Sequence, residues 1–264
     1  MSDAQPAPSG LTAPGKPLAP FRHPAFRAIW IANLASNLGS MIQSVGAAWL
    51  MTELTPSHQL IALVQASTTL PIMLLAVFAG AIADNHDRRK VMLAAQGVML
   101  AASATLAGLT WAGLIGPVLL LALTMLVGAG SALNGPAWQA SVRLQVGGED
   151  LPQAISLNTI AFNLARSAGP ALGGLLVSLA GPAPAFAFNT LSYLALIVVL
   201  LRWRPEMPAR ERQPMLASIG RGLRFCAGSS PLRRVLARGL AFGFCGVGYL
   251  ALVPILVREQ IGGD

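Results

Sequence analysis

Five residues in one short polar segment combine a carboxylate with a run of positive charge. Gly80 is followed by Asp84 and, four residues further on, by three consecutive basic residues, Arg88, Arg89 and Lys90. A carboxylate near guanidinium groups at a helix end forms ionic contacts that can exist in one conformation and be absent in another. Alternatively, the positive charges only orient the chain in a membrane, to which Asp84 contributes nothing. We call these five residues the ionic turn and expect it to act as a conformational latch.

One basic residue stands apart because it lies deep inside an otherwise uncharged stretch. Arg166 is followed by Gly169, Pro170, Gly173 and Gly174, and we call these five residues the Gly-Pro motif. Charged side chains within membrane spans are rare and usually face a cavity or a partner. Two interpretations of Arg166 stay open: contact with a substrate or a coupling proton, or a tie to carbonyls or an amide of a neighbouring helix. The glycines and the proline allow close helix packing and a kink.

Uncharged polar residues recur at helical spacing near the start of the chain. Asn33, Asn37, Ser40 and Ser44 share one predicted helix face, which we call the polar stripe. Unsatisfied polar groups are costly in hydrocarbon, so the stripe should avoid lipid. It either lines a cavity or forms hydrogen bonds between helices, and we expect the cavity. Further, more scattered candidates for lining the same cavity are Gln65, Asn134 and Gln139.

Catalytic and metal-binding constellations are not indicated. The 3 histidines, His23, His58 and His86, lack metal-ligand spacing, and the 2 cysteines, Cys226 and Cys245, lack metal-ligand neighbours. The sequence also has no glycine-rich nucleotide-binding loop ending in Lys and Ser or Thr. We therefore expect no enzyme activity, no catalytic residue, no metal and no cofactor, with an ion gradient rather than ATP as the energy source.

Composition indicates what must position these residues. The chain is 54% hydrophobic and only 11% charged, whereas a soluble domain averages about 25% charged residues. The net charge of +8 could indicate nucleic-acid binding. We reject that class, because the basic residues lie in short loops between apolar stretches rather than on one exposed face.

The apolar stretches predict seven membrane-spanning helices. An uncharged run of about 18 residues or more is long enough to cross a bilayer, and about 50 residues are enough for two crossings. We expect single spans at residues 28–52, 59–83 and 239–257, and two spans in each of the stretches 91–142 and 151–201, which break at 113–117 and 181–184.

The charges predict the orientation and the domains. Of the 18 Lys and Arg residues, 16 lie at the N-terminus, in alternate loops or at their helix boundaries, which places these parts and the N-terminus in the cytoplasm. The predicted order is a disordered leader (1–20), a six-helix unit (21–202), a cytoplasmic linker (203–238) and a seventh helix (239–264). Within the linker, helical spacing predicts an amphipathic surface helix, against the alternative of a solvated linker, from Met215, Leu216, Ile219, Leu223 and Phe225.

The ionic turn resembles the signature between helices 2 and 3 of the major facilitator superfamily: Gly, three residues, Asp, then a basic run. The Gly-Pro motif, together with residues 134–139 and 151–158, is similar to the exporter branch that includes the bacterial enterobactin exporter. The resemblance implies an all-α fold of two six-helix halves, each built from two inverted three-helix repeats. This chain would then hold the N-terminal half, the central loop and a seventh helix, truncated after it.

The resemblance also implies a function. We expect a multi-pass protein of the bacterial inner membrane that exports a small amphipathic molecule, a drug or a siderophore, by proton-coupled alternating access. In the family, the Asp and the basic residues of the ionic turn latch the cytoplasmic ends of the two halves. The expected partners are membrane lipid, the small-molecule substrate, protons, and the missing C-terminal half or a second copy. Two alternatives stay open: uptake by the same fold, and a half-transporter fragment or scaffold that does not transport.

Overall fold

The protein is described by a computed structural model covering residues 16–205, 220 and 224–242. Its contacts divide the chain into two units, Met1–Arg212 and Gln213–Asp264. The described part of the first unit contains two short 3-10 helices, Ala19–Arg22 and Gly148–Asp150, and six α-helices. The α-helices are α1 (Pro24–Leu54), α2 (His58–Asn85), α3 (Arg88–Trp111), α4 (Pro117–Gln145), α5 (Leu151–Ala180) and α6 (Pro182–Arg202).

The helix ends follow from local sequence chemistry. Proline occupies the first turn of α1, α4, α5 and α6, where its missing N–H is no loss. The Ser57 hydroxyl caps α2 by accepting from the Leu60 N–H at 3.5 Å. Between α5 and α6, Gly181 has φ 78°, a left-handed conformation that a glycine adopts without strain. These signals divide the stretch 151–201 where the sequence predicted.

The six helices pack as two related sets of three. Helix α1 packs against α5 and α6, helix α4 packs against α2 and α3, and α3 packs against α6. Exchanging α1 with α4, α2 with α5 and α3 with α6 leaves this packing scheme unchanged. Short connections join successive helices, so a set of three ends on the side of the unit opposite to where it began. The second set therefore starts from that opposite side. The two three-helix repeats are therefore inverted.

Close backbone approach holds α2 against α4. At Gly128 of α4, an added Cβ would lie 2.8 Å from the carbonyl oxygen of Thr68 and 2.9 Å from that of Ser67. Both oxygens belong to the α2 backbone and cannot rotate away. The buried core lies mainly around α1, α3 and α6, where Phe186 and Tyr193 are among the largest fully buried side chains.

Five helices, α2 to α6, are long and apolar enough to cross a membrane. Helix α1, with 31 residues, is also long enough but is not one of these five, and its interior carries Asn33, Asn37 and Gln43. Burial differs strongly among these helices. In the most apolar 18-residue segment of each helix, 11% is buried in α2 and 44% in α3. Helix α2 thus lies at the outside of the described six-helix unit.

The ends of the chain are described in part. Residues 1–15 of the predicted leader lie outside the described residues, and Ala19 and Pro20 at its end are buried. Most of the predicted amphipathic segment, 215–225, also lies outside them. In the second unit, residues 230–242 are helical, so a described helix runs through the boundary at residue 239 predicted for the seventh span.

Candidate functional site

The ionic turn joins the end of α2 to the start of α3. The carboxylate of Asp87 caps α3, accepting from the backbone N–H groups of Arg89 at 2.9 Å and Lys90 at 3.3 Å. A capping carboxylate satisfies N–H groups that have no partner within the helix. The sequence prediction gave Asp87 no role, although an Asp directly before a helical run is an N-cap signal.

Two arginines of the ionic turn bind backbone carbonyls of other helices. Arg88 donates to the Ala140 oxygen on α4 at 2.8 Å. Arg89 donates twice to the last turn of α6, to the oxygens of Leu200 at 2.7 Å and Leu201 at 2.8 Å. The start of α3 is thereby connected to both α4 and α6. The hydrogen bonds of these two side chains therefore join helices within the six-helix unit.

The rest of the ionic turn is more open. The side chains of Asp84 and Lys90 are exposed, and Gly80 is half-buried. A Cβ added at Gly80 would meet nothing within 4 Å among the described residues. Packing among the described residues therefore does not explain a glycine at position 80, and the helix face at Gly80 has room for another element.

The Gly-Pro motif divides between two faces of α5. Gly169 and Gly173 are buried against α1: a Cβ at Gly169 would overlap Met41, and one at Gly173 would lie 3.1 Å from the Ile42 Cα. Pro170 and Gly174 lie on the adjacent, exposed face. The motif thus serves close packing on one side only.

Arg166 shares the exposed face of α5 and lies near the middle of that helix. Within the part of the chain that the structure describes, its guanidinium has neither a hydrogen-bond acceptor nor an acidic partner. The interpretation of Arg166 as a tie between helices finds no partner there.

The polar stripe is partly used in packing. Asn33 is buried, and Asn37, Ser40 and Ser44 are half-buried. Ser40 lies 3.1 Å from the hydroxyl of Tyr193 on α6 and donates to the Ser36 carbonyl. Ser44 donates to the Met41 carbonyl at 2.7 Å. Ser40 therefore connects α1 with α6.

A buried amide next to the stripe was missed from the sequence. The Gln43 Oε1 accepts from the Ser103 hydroxyl at 2.7 Å and from the Asn189 side-chain amide at 2.8 Å. Asn189 in turn accepts from Ser192 at 3.0 Å. This polar network joins α1, α3 and α6. Its signal in the sequence was a glutamine inside an apolar helix.

The scattered candidates are more accessible. Gln65 and Gln139 are exposed on α2 and α4. The Oδ1 of Asn134 is buried without a hydrogen-bond partner among the described residues, and so is that of Asn158 on α5. A buried amide oxygen requires a donor, and a water molecule or a polar ligand would provide one.

A cavity of about 570 Å³ lies at the loop end of the unit, away from these side chains, and is lined by Arg22, His23 and residues 147–150. The Asp150 carboxylate is 3.0 Å from the His23 Nε2 and 3.4 Å from an Arg22 nitrogen. The hydrogen bond with His23, helped by the charge of Arg22 and opposed by partial desolvation, lowers the pKa of Asp150 below 3.8. No group of three potential metal ligands occurs within the described residues.

The family model of the transmembrane secretion effectors matches residues 15–264. The chain belongs to this family of the major facilitator superfamily. The predicted fold class, an all-α membrane fold of that type, and the resemblance to its exporters are thereby confirmed. The chain is a multi-span membrane protein.

Named relatives agree with this assignment. The chain is 24% identical over 233 residues to the staphyloferrin A transporter of Staphylococcus aureus, covering 86% of this chain and 57% of that protein. It is 28% identical over 214 residues to the enterobactin exporter of Shigella boydii, covering 80% of this chain and 50% of the relative. The enterobactin exporter of Escherichia coli gives the same identity and coverage. The chain thus spans about half the length of the curated relatives it matches.

Proposed function

We propose that this chain forms the N-terminal half of a secondary transporter that exports a small amphipathic molecule, a drug or a siderophore, across the bacterial inner membrane. Proton-coupled alternating access is the mechanism we propose, with the N-terminus in the cytoplasm. Membership of the secretion effector family supports transport, and the names of the Shigella and Escherichia relatives support export and a siderophore.

The exposed position of Arg166 carries the proposal. A charge in the middle of a membrane helix is unfavourable against lipid unless it reaches water or a partner. Gln65, Gln139 and Asn163 are also exposed within α2, α4 and α5. Polar side chains on three helices are explained together if these faces border a water-filled path that the second half of the transporter closes. Arg166 would then bind an anionic group of the substrate.

We propose Asp84 as the latch of this transporter, because it matches the Asp of the signature between helices 2 and 3 of the superfamily and its side chain is exposed. In this proposal its carboxylate, at the end of α2, contacts the second half in one conformation only. A contact of about 1.4 kcal/mol that exists in one state shifts the population tenfold. Loss of Asp84 should therefore slow the cycle without unfolding the protein.

The test is efflux from bacterial cells that lack their own drug and siderophore exporters. The 264-residue chain is expressed alone and joined to the coding sequence that follows codon 264. We expect export by the longer protein, abolished by a protonophore. Export by the short chain alone would show that a second copy supplies the missing half. Accumulation instead of loss would show uptake, and no transport by either protein would support a scaffold.

Two substitutions test the named residues in the transporting form. Arg166→Gln should reduce export about tenfold or more, corresponding to roughly 1.4 kcal/mol of lost binding, while Arg143→Gln, an exposed arginine near the end of α4, should not. Asp84→Asn should reduce export with near-normal protein abundance. Unchanged export by Arg166→Gln would contradict the binding role, and unchanged export by Asp84→Asn the latch.

A further inference from the structure

The second unit contains a helix with two chemically distinct faces, described over residues 230–242. At 100° per residue, Arg233, Arg234 and Arg238 fall within one arc of about 140°. On the rest of the circumference, an arc of about 160° carries the large apolar side chains: Leu232, Val235, Leu236, Leu240 and Phe242. We call this segment the arginine helix.

Both faces of the arginine helix are open within the described residues of the second unit. Val235 is 63% exposed, Leu236 56%, Leu240 78% and Phe242 82%. The three arginines are exposed as well. The Arg234 guanidinium donates to the hydroxyl of Ser230 at 3.2 Å, one turn earlier on the same helix. Neither face is satisfied by the part of its own unit that is described.

Charge limits what can cover the basic face. The second unit contains six arginines, all within residues 213–258, and only two acidic residues, Glu259 and Asp264, both near its end. Positive charge therefore dominates the unit and the sequence around the arginine helix. The matching surface must bring negative charge beside an apolar layer. In a multi-span membrane protein, a bilayer containing anionic phospholipids supplies both, with headgroups for the arginines and acyl chains for the apolar face.

We propose that the arginine helix binds anionic phospholipid headgroups at the membrane surface, with its apolar face in the acyl-chain region. Phosphate oxygens accept hydrogen bonds from arginine in pairs. Each arginine near an anionic surface strengthens binding about fivefold, and three together about a hundredfold. The proposed lipid contact does not depend on transport, and it assigns a lipid class to residues that the sequence placed at the boundary of linker and seventh span.

The test follows the position of one side chain in the whole 264-residue chain. Cys226 and Cys245 are replaced by serine, Leu236→Cys on the apolar face is labelled with bimane, and the protein is placed in nanodiscs. Brominated acyl chains quench the label when it lies among them. We expect quenching to increase when phosphatidylglycerol is added to phosphatidylcholine, and to fall again at high salt, since salt screens surface charge.

Variants separate this contact from general charge effects. Replacing Arg233, Arg234 and Arg238 together by Gln should abolish the dependence on phosphatidylglycerol. The matched control replaces three arginines that are exposed in the first unit by Gln: Arg143, Arg202 and Arg204. This control should retain the dependence on phosphatidylglycerol. A label at Ala237→Cys, on the basic face, should be quenched less than one at Leu236→Cys.

Two results would overturn the proposal. Strong quenching that is the same in both lipid mixtures and at both salt concentrations would show a helix buried in the bilayer regardless of headgroup charge. Absence of quenching at Leu236→Cys in either mixture would show that protein covers the apolar face. The salt titration needs no arginine substitution, so it tests the contact with anionic headgroups even if the triple Gln variant does not fold.

Discussion

Arg89 stabilises a helix end by geometry as well as charge. The last carbonyls of α6 have no partner within that helix, and the planar guanidinium reaches two of them at 2.7 and 2.8 Å. The ε-ammonium of a lysine is a compact point charge and cannot donate two hydrogen bonds in this fixed planar geometry. In the ionic turn, Arg89 and Lys90 are therefore not equivalent, although both are basic neighbours.

Replacing Arg89 should destabilise the fold. We expect Arg89→Gln to lower the free energy of unfolding by about 1.5–3 kcal/mol, the range for hydrogen bonds to charged groups, and Arg89→Lys to lower it less. Lys90→Gln, at an exposed position, should change it by less than about 0.5 kcal/mol. Denaturant titration in detergent measures all three variants. Equal losses for Arg89→Gln and Lys90→Gln would contradict the role given to the α6 carbonyls.

Asp150, in the loop before α5, should make stability depend on pH in the acidic range. Its pKa in the folded protein is lowered below 3.8 by His23 and Arg22. The contribution to stability is therefore present above the unfolded pKa and is lost as pH falls through the folded pKa. We expect Asp150→Asn to remove this part of the acid dependence of the thermal midpoint, and Glu149→Gln to keep it. Identical acid profiles for wild type and Asp150→Asn would refute the effect.

At the scale of helices, small residues decide which pairs come close. Gly128 brings α4 onto the α2 backbone, as Gly169 and Gly173 bring α5 onto α1. The two helix pairs correspond in the two repeats, although the glycines lie on α4 in one pair and on α5, the counterpart of α2, in the other. The loss of a side chain at these positions permits a backbone distance that larger residues exclude.

Two glycines of α4 should respond with opposite signs. Gly128→Ala places a Cβ within 3 Å of two α2 backbone oxygens, and such overpacking costs about 1–3 kcal/mol. A Cβ at Gly135 meets nothing within 4 Å among the described residues, so Gly135→Ala should gain up to about 1 kcal/mol from helix propensity. Unfolding of both variants under one set of conditions checks this, and a gain for Gly128→Ala would show that the two helices separate easily.

The sequence predicted the helices better than their contacts. Uncharged runs and proline or glycine signals located α2 to α6, because span length and turn chemistry are local properties. The bonds from Arg89 to α6 and from Gln43 to Asn189 join residues that are more than 100 positions apart, and no local pattern encodes such pairs. Asp87, by contrast, was predictable as an N-cap and was passed over. Arg166 lies near the middle of α5, a helix long and apolar enough to cross a membrane, and its role stays a prediction.

At the scale of the whole molecule, the alternation of charge predicts one orientation. The ionic turn and the loop at Gly147 should be cytoplasmic, and the loops at Pro56, Ile115 and Pro182 periplasmic. In a background without cysteine, an impermeant maleimide applied to intact cells should label Pro56→Cys and leave His86→Cys unlabelled until the cells are opened. Both positions are exposed. Labelling of His86→Cys in intact cells would reverse the orientation.

The buried amide network can form only late in synthesis of the chain. Gln43 enters the membrane early, but its partner Asn189 lies 146 residues later. At about 5–20 residues per second, a ribosome needs roughly 7–30 seconds to make the intervening chain. Until Asn189 follows, the Gln43 Oε1 can accept only from Ser103 on α3, so water or the insertion machinery must provide its second donor. We expect a force-sensing arrest peptide to register a pull on the nascent chain as α6 enters, and Gln43→Leu to weaken that pull.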